Sequence, residues 1–346
     1  MQHLAIDLGS RESQICIRNP DGNIVSERKL PTAKLPGFLA KQPHSRVILE
    51  TCAEAFMIAD AAVEHGHEVR VVPATLVRTL GVGERRQKND QRDARKLSEV
   101  STRIDLPSVH VPSASSRARK MLCNSRKSLI DARTKLINYV RGQLRLRALV
   151  IRGRAKSTFP AIVRELLVTD CDGLPVHLDR VLQTIEVLNL QLEAMDEELK
   201  AVAEQDSVCQ RLMTVPGVGP MIAVRFMAVV DQPERFHSAH HLMSYLGLTP
   251  GENSSSLRVQ RTGITKAGAS DLRCALIQGA WAIMRTKNNP MMTWATGLAQ
   301  RRNRFVAVTA LARKLVGVLW SIWIHGTTYQ PTTLVNASAD NALDAV

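Results

Sequence analysis

The sequence predicts an α/β N-terminal domain followed by a longer, mostly helical region. Apolar runs of strand length recur five times before Pro73, separated by turn residues and one helical stretch. Beyond Pro112 the apolar residues recur instead at helical spacing, and one stretch carries a heptad seam. With 346 residues the chain exceeds a single comfortable core, and two or three domains are expected.

Taking the elements in order, residues 3–8 (HLAIDL) and 14–18 (QICIR) read as strands joined by a turn at Gly9 and Ser10. Asn19-Pro20-Asp21-Gly22 is a strong turn signal, and Ile24–Leu30 is a third strand. A short helix is expected over Lys34–Lys41, then a fourth strand at Arg46–Glu50, apolar through its middle and ending in a carboxylate. Ala53–His65 reads as a helix and Glu68–Val72 as a fifth strand, which Pro73 stops. Asn89 caps a helix running to about Val100, with Asp90 in its first turn. A three-strand meander followed by alternating strand and helix is the order expected of a ribonuclease-H-like domain.

The helical region opens at Ser113 with a long, basic, proline-free helix to Ala148. Arg152–Pro175, punctuated by Gly153, Pro160, Gly173 and Pro175, reads as a bend. In the next helix Val181, Ile185, Leu188, Leu192, Met195, Leu199 and Val202 alternate by four and three. Such a seam suits an antiparallel helix pair within the chain and a dimer contact equally. Leu212–Pro220 (LMTVPGVGP) followed by the apolar helix Met221–Val230 has the pattern of a helix-hairpin-helix turn. Backbone N–H groups near Gly217 and Gly219 could there meet a phosphate, although Pro-Gly-x-Gly also suits a plain tight turn. Helices are expected at Ser238–Leu246, Ser270–Met284 and Arg304–Trp323, with the polar loop Thr249–Lys266 between the first two. The expected division is 1–108, 109–205 and 206–329, with a loose tail over 330–346.

Lys and Arg outnumber Asp and Glu by 46 to 32, giving a net charge of +14. A surplus of this size favours a polyanionic partner. No uninterrupted apolar run reaches the roughly 18–20 residues of a membrane span. Asp7 within MQHLAIDLGS argues against a signal peptide. The six cysteines are scattered, without a CxxC or Cys/His cluster, which argues against a zinc site or a disulfide framework and suits the cytoplasm. Basic residues concentrate between Arg85 and Lys156, among them Arg86, Lys88, Arg117, Arg119, Lys120, Arg126 and Lys127. This run reads as a nucleic-acid surface that contacts phosphates without reading sequence, or else as an ordinary solvated helix face. Aromatic residues make up 4% of the chain, so base stacking is expected to contribute little.

Four acids stand where metal chemistry on phosphate would need them. Asp7 lies in an apolar strand, Glu50 ends the strand expected beside it, and Asp90 and Asp93 share a helix face three residues apart. Taken singly, Asp7 could close the Gly9 turn, Glu50 could pair with an arginine, and the other two could favour a helix N-terminus. Together they would repel unless a divalent cation joined them, and Mg2+ (Mn2+ in its place) prefers such oxygen donors. Two such ions about 4 Å apart could activate an attacking oxygen and stabilise a leaving one.

The strand IDLGS, the segment ILET and the helix KNDQRDARKL resemble the RuvC-like DEDD domain of the IS-one-ten insertion-sequence transposases. TVPGVGPMIA, RFHSAHHLMSYLGLTPGENSS and GITKAGASDLRCALIQGAWA are similar, in the same order, to that family's serine-bearing domain. The resemblance spans about residues 3–320. It implies a recombinase that joins DNA covalently to a serine, with Asp7, Glu50, Asp90 and Asp93 as metal ligands. The family's serine falls five residues after the loop proline, which from Pro250 is Ser255. The family has glycine next, whereas this chain has Ser256, so Ser254 and Ser256 stay in play. Arg258, Arg261 and Lys266 would neutralise the phosphate. The resemblance further implies donor and target DNA, a structured bridge RNA, dimers pairing into tetramers, and work at the bacterial nucleoid.

Three other readings compete. A junction nuclease would use the same acids with water and need no serine. A sugar-kinase or actin-like phosphotransferase would share IDLGS but want further glycine-rich nucleotide motifs. A non-catalytic nucleic-acid binder fits the charge and leaves the acids and the serine loop unexplained.

Overall fold

The computed structural model describes residues 1–79, 90–151, 157–170, 173–252, 261–287 and 289–331. The chain divides into two compact units, Met1–Pro112 and Ser113–Val346.

The first unit is a five-stranded sheet covered by helices. Its elements are β1 (Gln2–Asp7), β2 (Glu12–Arg18), β3 (Ile24–Pro31), α1 (Leu35–Leu39), β4 (Ser45–Glu50), α2 (Ala55–Glu64), β5 (Glu68–Val72), α3 (Ala74–Thr79) and α4 (Asp90–Arg103). Strand order is β3-β2-β1-β4-β5, antiparallel through the meander and parallel from β1 to β4 to β5. Alternation along the central strands buries both faces. Leu4, Ile6, Val47 and Leu49 pack on one side with Leu35, Leu39 and Ile58. Ala5, Ile48 and Val72 pack on the other with Val77, Leu97 and Leu106. The expected helix at Lys34–Lys41 contracts to a 3-10 turn at Thr32–Lys34 and the short α1.

The second unit is helical apart from one ribbon. It comprises α5 (Ala114–Arg145), α6 (Phe159–Asp170), α7 (Val176–Gln205), α8 (Ser207–Met213), α9 (Pro220–Val230), α10 (Ala239–Tyr245), β6 (Pro250–Glu252), β7 (Arg261–Ile264), α11 (Ser270–Ile283), α12 (Pro290–Arg301) and α13 (Arg304–His325). Ser113 caps α5 by accepting from the Ser116 N–H. In α7, Leu182, Ile185, Leu192 and Leu199 are buried. Arg126 of α5 pairs with Asp196 and Arg133 with Asn189 of α7, so the two helices run antiparallel within one chain. Ile185, Leu192 and Leu199 of the heptad seam are thus covered within the chain, while Val181, Leu188, Met195 and Val202 are half-buried. Cys123, Leu199 and Ala203 join the core of the following helices, and the boundary expected at residues 205–206 runs inside this unit.

Four described helices depart from expectation: α3 and α8 fall where no helix was read, and two others carry a proline in the first turn. The bend over Arg152–Pro175 contains α6, whose Pro160 sits in the first turn, where a missing N–H costs nothing. α12, unforeseen in the sequence, starts the same way, with Pro290 in its first turn after the Asn289 cap, which accepts from the Met291 N–H at 2.9 Å. α13 is the one described helix long and apolar enough to cross a membrane by length and composition. Its Ala307, Leu311, Leu315, Leu319 and Ile322 are nonetheless buried in the core of this unit. The tail from 332 onward lies outside the described residues.

Cysteines test how tightly the helical core is closed. Burial, together with the nearby Asp206 carboxylate, pushes the Cys209 thiol up to about 12, whereas Cys274 is exposed. A water-soluble maleimide, followed by peptide mapping, is expected to modify Cys274 and spare Cys209 in the folded chain. Equal labelling of the two would show that the core around α8 and α9 opens readily.

Candidate active site

The carboxylate site is built by strand register. β1 and β4 pair in parallel from Gln2↔Ser45 to Ile6↔Leu49, so the next residues, Asp7 and Glu50, end adjacent strands side by side. Adjacent strands lie about 4.8 Å apart, and in-register residues of a parallel pair share a face. Counting by twos from Ala5 and Ile48 puts both acids on the face covered by α4. Each is half-buried.

Side-chain bonds orient α4 across that face. His3 Nδ1 meets Ser101 Oγ at 2.8 Å, and Arg18 Nε donates to Ser98 Oγ at 2.9 Å. Ser98 Oγ in turn donates to Cys16 Sγ at 3.2 Å. Since Ser101 lies over the start of β1, α4 runs against it. The eight residues from Ser101 back to Asp93 span about 12 Å of helix, close to the four strand residues from His3 to Asp7, so the Asp93 backbone lies near the level of Asp7 and that of Asp90 almost one turn beyond. Arg95 clamps the helix to β3 through a two-pronged ion pair with Glu27, its Nη2 lying 2.6 Å from Oε2. That guanidinium holds the Glu27 carboxyl below its ordinary value. Neither residue is legible as a positioning pair from sequence, because the partners lie 68 positions apart.

The turn after Asp7 is locked independently. Thr32 Oγ1 donates to the Gly9 carbonyl at 2.6 Å, and a Cβ on Gly9 would stand 2.4 Å from the Glu12 carbonyl oxygen. At the end of β4, the Ala74 N–H donates to Thr51 Oγ1 at 3.0 Å. Among the described residues no three His, Cys, Asp or Glu side chains are gathered as a metal-binding group. The cage read from sequence needs Asp90, whose side chain lies outside the described residues. Asp7, Glu50 and Asp93 carry the hard carboxylate oxygens that Mg2+ or Mn2+ prefers, but as placed these three do not by themselves form a group that could hold one ion.

Within the segment expected as a polar loop, the described residues on either side of the serine positions form two short strands. β6 and β7 pair antiparallel, with Pro250 opposite Ile264 and Glu252 opposite Arg261. Ser254, Ser255, Ser256 and Arg258 fall outside the described residues, as does the Arg261 side chain. The ribbon's root is described in full. Gly247 and Gly268 take positive φ where the two chain segments cross, and a Cβ on Gly268 would stand 2.0 Å from the Tyr245 carbonyl oxygen. Arg273, 8% exposed, donates to the carbonyls of Leu246 at 2.9 Å and Ala267 at 2.8 Å, tying both roots to α11. A lone arginine in the apolar run LRCALIQGAWAI was its one sequence signal. Lys266 is exposed at the foot of the ribbon, with φ +58.

The glycine turn before α9 divides its two glycines between roles. Gly217 (φ +79) abuts α11, where a Cβ would stand 2.6 Å from the Gly279 carbonyl oxygen. Gly219 is the N-cap of α9, and a Cβ there meets nothing within 4 Å. Open space leaves Gly219, rather than Gly217, facing any ligand at this turn.

Of the basic residues assigned to nucleic acid, Arg119 pairs with Asp206 at 2.7 Å and Arg126 with Asp196, so both hold helices together. Lys127 pairs with Asp131 one turn on, which raises its ammonium above the ordinary value. Arg117 is half-buried and Lys120 exposed. Arg85, Arg86 and Lys88 lie outside the described residues.

Two family profiles match the chain. A transposase profile of the DEDD type covers residues 4–147, and one of the transposase IS116/IS110/IS902 family covers residues 209–294. The chain is 28% identical over 338 residues to a probable family 20 transposase of Pseudomonas aeruginosa, an alignment covering 96% of this chain and 99% of the relative. It is 29% identical over 335 residues to the transposase for insertion sequence element IS1111A of Coxiella burnetii, covering 94% and 91%. Against the IS1328 transposase of Yersinia enterocolitica the identity is 28%, over 94% and 98%.

Two expectations test the scaffold. Gly217→Ala should destabilise the second unit by at least about 1 kcal/mol in thermal unfolding, while Gly219→Ala changes stability by a few tenths. Comparable losses for the two variants would refute the division of roles. Because the Glu27 carboxyl is depressed, its contribution to α4 docking is present above about pH 4.3 and fades as pH falls through the lower folded value. Glu27→Gln should therefore speed amide exchange across residues 90–103 at neutral pH and flatten its dependence on acid.

Proposed function

Because the chain belongs to the IS116/IS110/IS902 family of insertion-sequence transposases, we propose that it is an RNA-guided DNA recombinase that cuts and rejoins strands through a covalent phosphoserine. The observation carrying this reading is the parallel register that ends β1 and β4 on Asp7 and Glu50, on the sheet face covered by α4, the helix that bears Asp90 and Asp93. The strand order β3-β2-β1-β4-β5 supports reading the first unit as ribonuclease-H-like and RuvC-like.

The chemistry divides between the two units. Asp7, Glu50, Asp90 and Asp93 would hold Mg2+, which when bound supplies charge stabilisation at phosphate oxygens. Ser255 Oγ attacks phosphorus; the new bond to phosphorus forms as the bridging bond to a deoxyribose oxygen breaks, and that oxygen leaves as a hydroxyl after taking a proton. Rejoining runs the same exchange in reverse, with a hydroxyl of the incoming strand displacing Ser255. Bond energy is conserved, so no high-energy cofactor is required. Arg258, Arg261 and Lys266 are the side chains read as neutralising the phosphate. The β6–β7 ribbon and its Arg273 anchor support a loop presented on a stiff mount rather than a slack one. A bridge RNA would be recognised through backbone and shape by basic helix faces such as that of Lys120. Assembly as dimers that pair into tetramers, and work at the bacterial nucleoid, complete the reading.

Strand exchange on a donor–target DNA pair with the RNA copurified from the host tests this. Ser255→Ala should abolish both exchange and an SDS-stable protein–DNA adduct, a loss on the order of a thousandfold or more. Alanine at Asp7, Glu50 or Asp90, or chelation of divalent ions, should do the same while RNA binding persists. Continued DNA cleavage by Ser255→Ala, Ser254→Ala and Ser256→Ala alike would replace the recombinase with a water-using nuclease.

A further inference from the structure

From Asp271 to Asp340 the sequence contains no acidic residue between the two, yet it carries Arg273, Arg285, Lys287, Arg301, Arg302, Arg304, Arg313 and Lys314. All four tryptophans fall in the same stretch, at positions 281, 294, 320 and 323. The fold sorts these residues. All four tryptophans pack against the core of the second unit, each with part of its surface left open. At the α12–α13 junction the opposite happens, and residues 301–306 are all exposed. Phe305, 75% exposed, stands in the first turn of α13.

That exposure is organised. Arg304 lies over the Trp281 ring at 4.9 Å, and Phe305 meets the same ring edge-on at 6.1 Å between centroids. The junction is short, with Arg302 ending α12 and Asn303 capping α13 by accepting from the Val306 N–H at 2.9 Å. Phe305 is therefore held on a capped helix rather than on a slack loop. Leaving a phenyl ring three-quarters in water forgoes the free energy of burying it. A cationic rim around a free π-face matches the two parts of a nucleotide, phosphate and base.

We propose that Phe305, backed by Trp281 and Arg304, is a stacking platform for an unpaired base of a DNA strand, with Arg301 and Arg285 taking flanking phosphates. The choice of DNA rests on the recombinase reading. Trp281 lies about 12 Å along α11 from Arg273, the anchor of the serine-bearing ribbon, at 1.5 Å per residue. A strand engaged at that ribbon would run beside the platform. Stacking itself does not depend on that reading. The scarcity of aromatics speaks to the chain as a whole, whereas the platform turns on two rings that meet beside Arg304.

The test is fluorescence anisotropy of the full chain with a labelled 20-nucleotide single-stranded DNA, its duplex and the RNA of the same sequence, all in chelator so that no strand is cut. Phe305→Ala should weaken single-stranded DNA binding about five- to tenfold, with duplex binding and the salt slope unchanged. Phe305→Trp, which keeps a ring, should bind at least as tightly as the parent, and Arg301→Ala should lower the salt slope. Unchanged single-strand affinity in Phe305→Ala would overturn the platform, as would equal losses on duplex, a loss confined to RNA, or a change in oligomeric state that accounts for the effect. A chain that stacks DNA through Phe305 yet forms no serine adduct would sink the recombinase reading alone.

Discussion

Parallel pairing of β1 with β4 is the constraint from which the first unit follows. It sets two carboxylates on neighbouring strands at one end of a sheet whose faces are otherwise filled by aliphatic side chains. Like charges at strand spacing repel, and a half-buried pair is costly unless something positive is shared between them. A one-residue slip of β4 would turn Glu50 to the opposite face and dissolve the arrangement. The polar bonds of α4 hold the helix over this face, since His3, Arg18 and Glu27 each fasten it to a different strand of the meander.

The second unit meets a different demand, which is to carry a large positive charge and still close a core. It does so by segregation. Arg119, Arg126 and Arg164 are used in ion pairs that join helices, with Arg164 bridging to both Asp179 and Glu186. Arg225 and Arg273 are buried and donate to backbone carbonyls, fastening α5 and the ribbon root to the centre. The charge left over lies on helix ends and turns such as the α12–α13 junction, where phosphate can reach it. A basic composition therefore overstates the number of residues available to nucleic acid.

Much of the architecture was readable because it rests on local rules. Turn residues and alternation marked all five strands, and Ser113 marked the start of α5. The misreadings were also local: Pro160 read as part of a bend and the helix at Pro290 went unread, although a first-turn proline begins a helix as readily as it ends one. The Thr249–Lys266 loop read as irregular because a three-residue strand paired with a four-residue strand leaves almost no periodic signal.

By itself the sequence determined an α/β first part followed by helices, the positions of Asp7 and Glu50 at strand ends, and the family likeness carried by its ordered motifs. Those properties depend on neighbours in the chain. Only the tertiary structure decided that the α7 seam packs on α5, that Glu27 and Arg95 clamp α4, that Gly217 is a packing glycine, and that Phe305 and Trp281 share a basic surface. Each of these joins residues far apart in the chain, and such a pairing depends on how the intervening elements pack rather than on the identity of either partner.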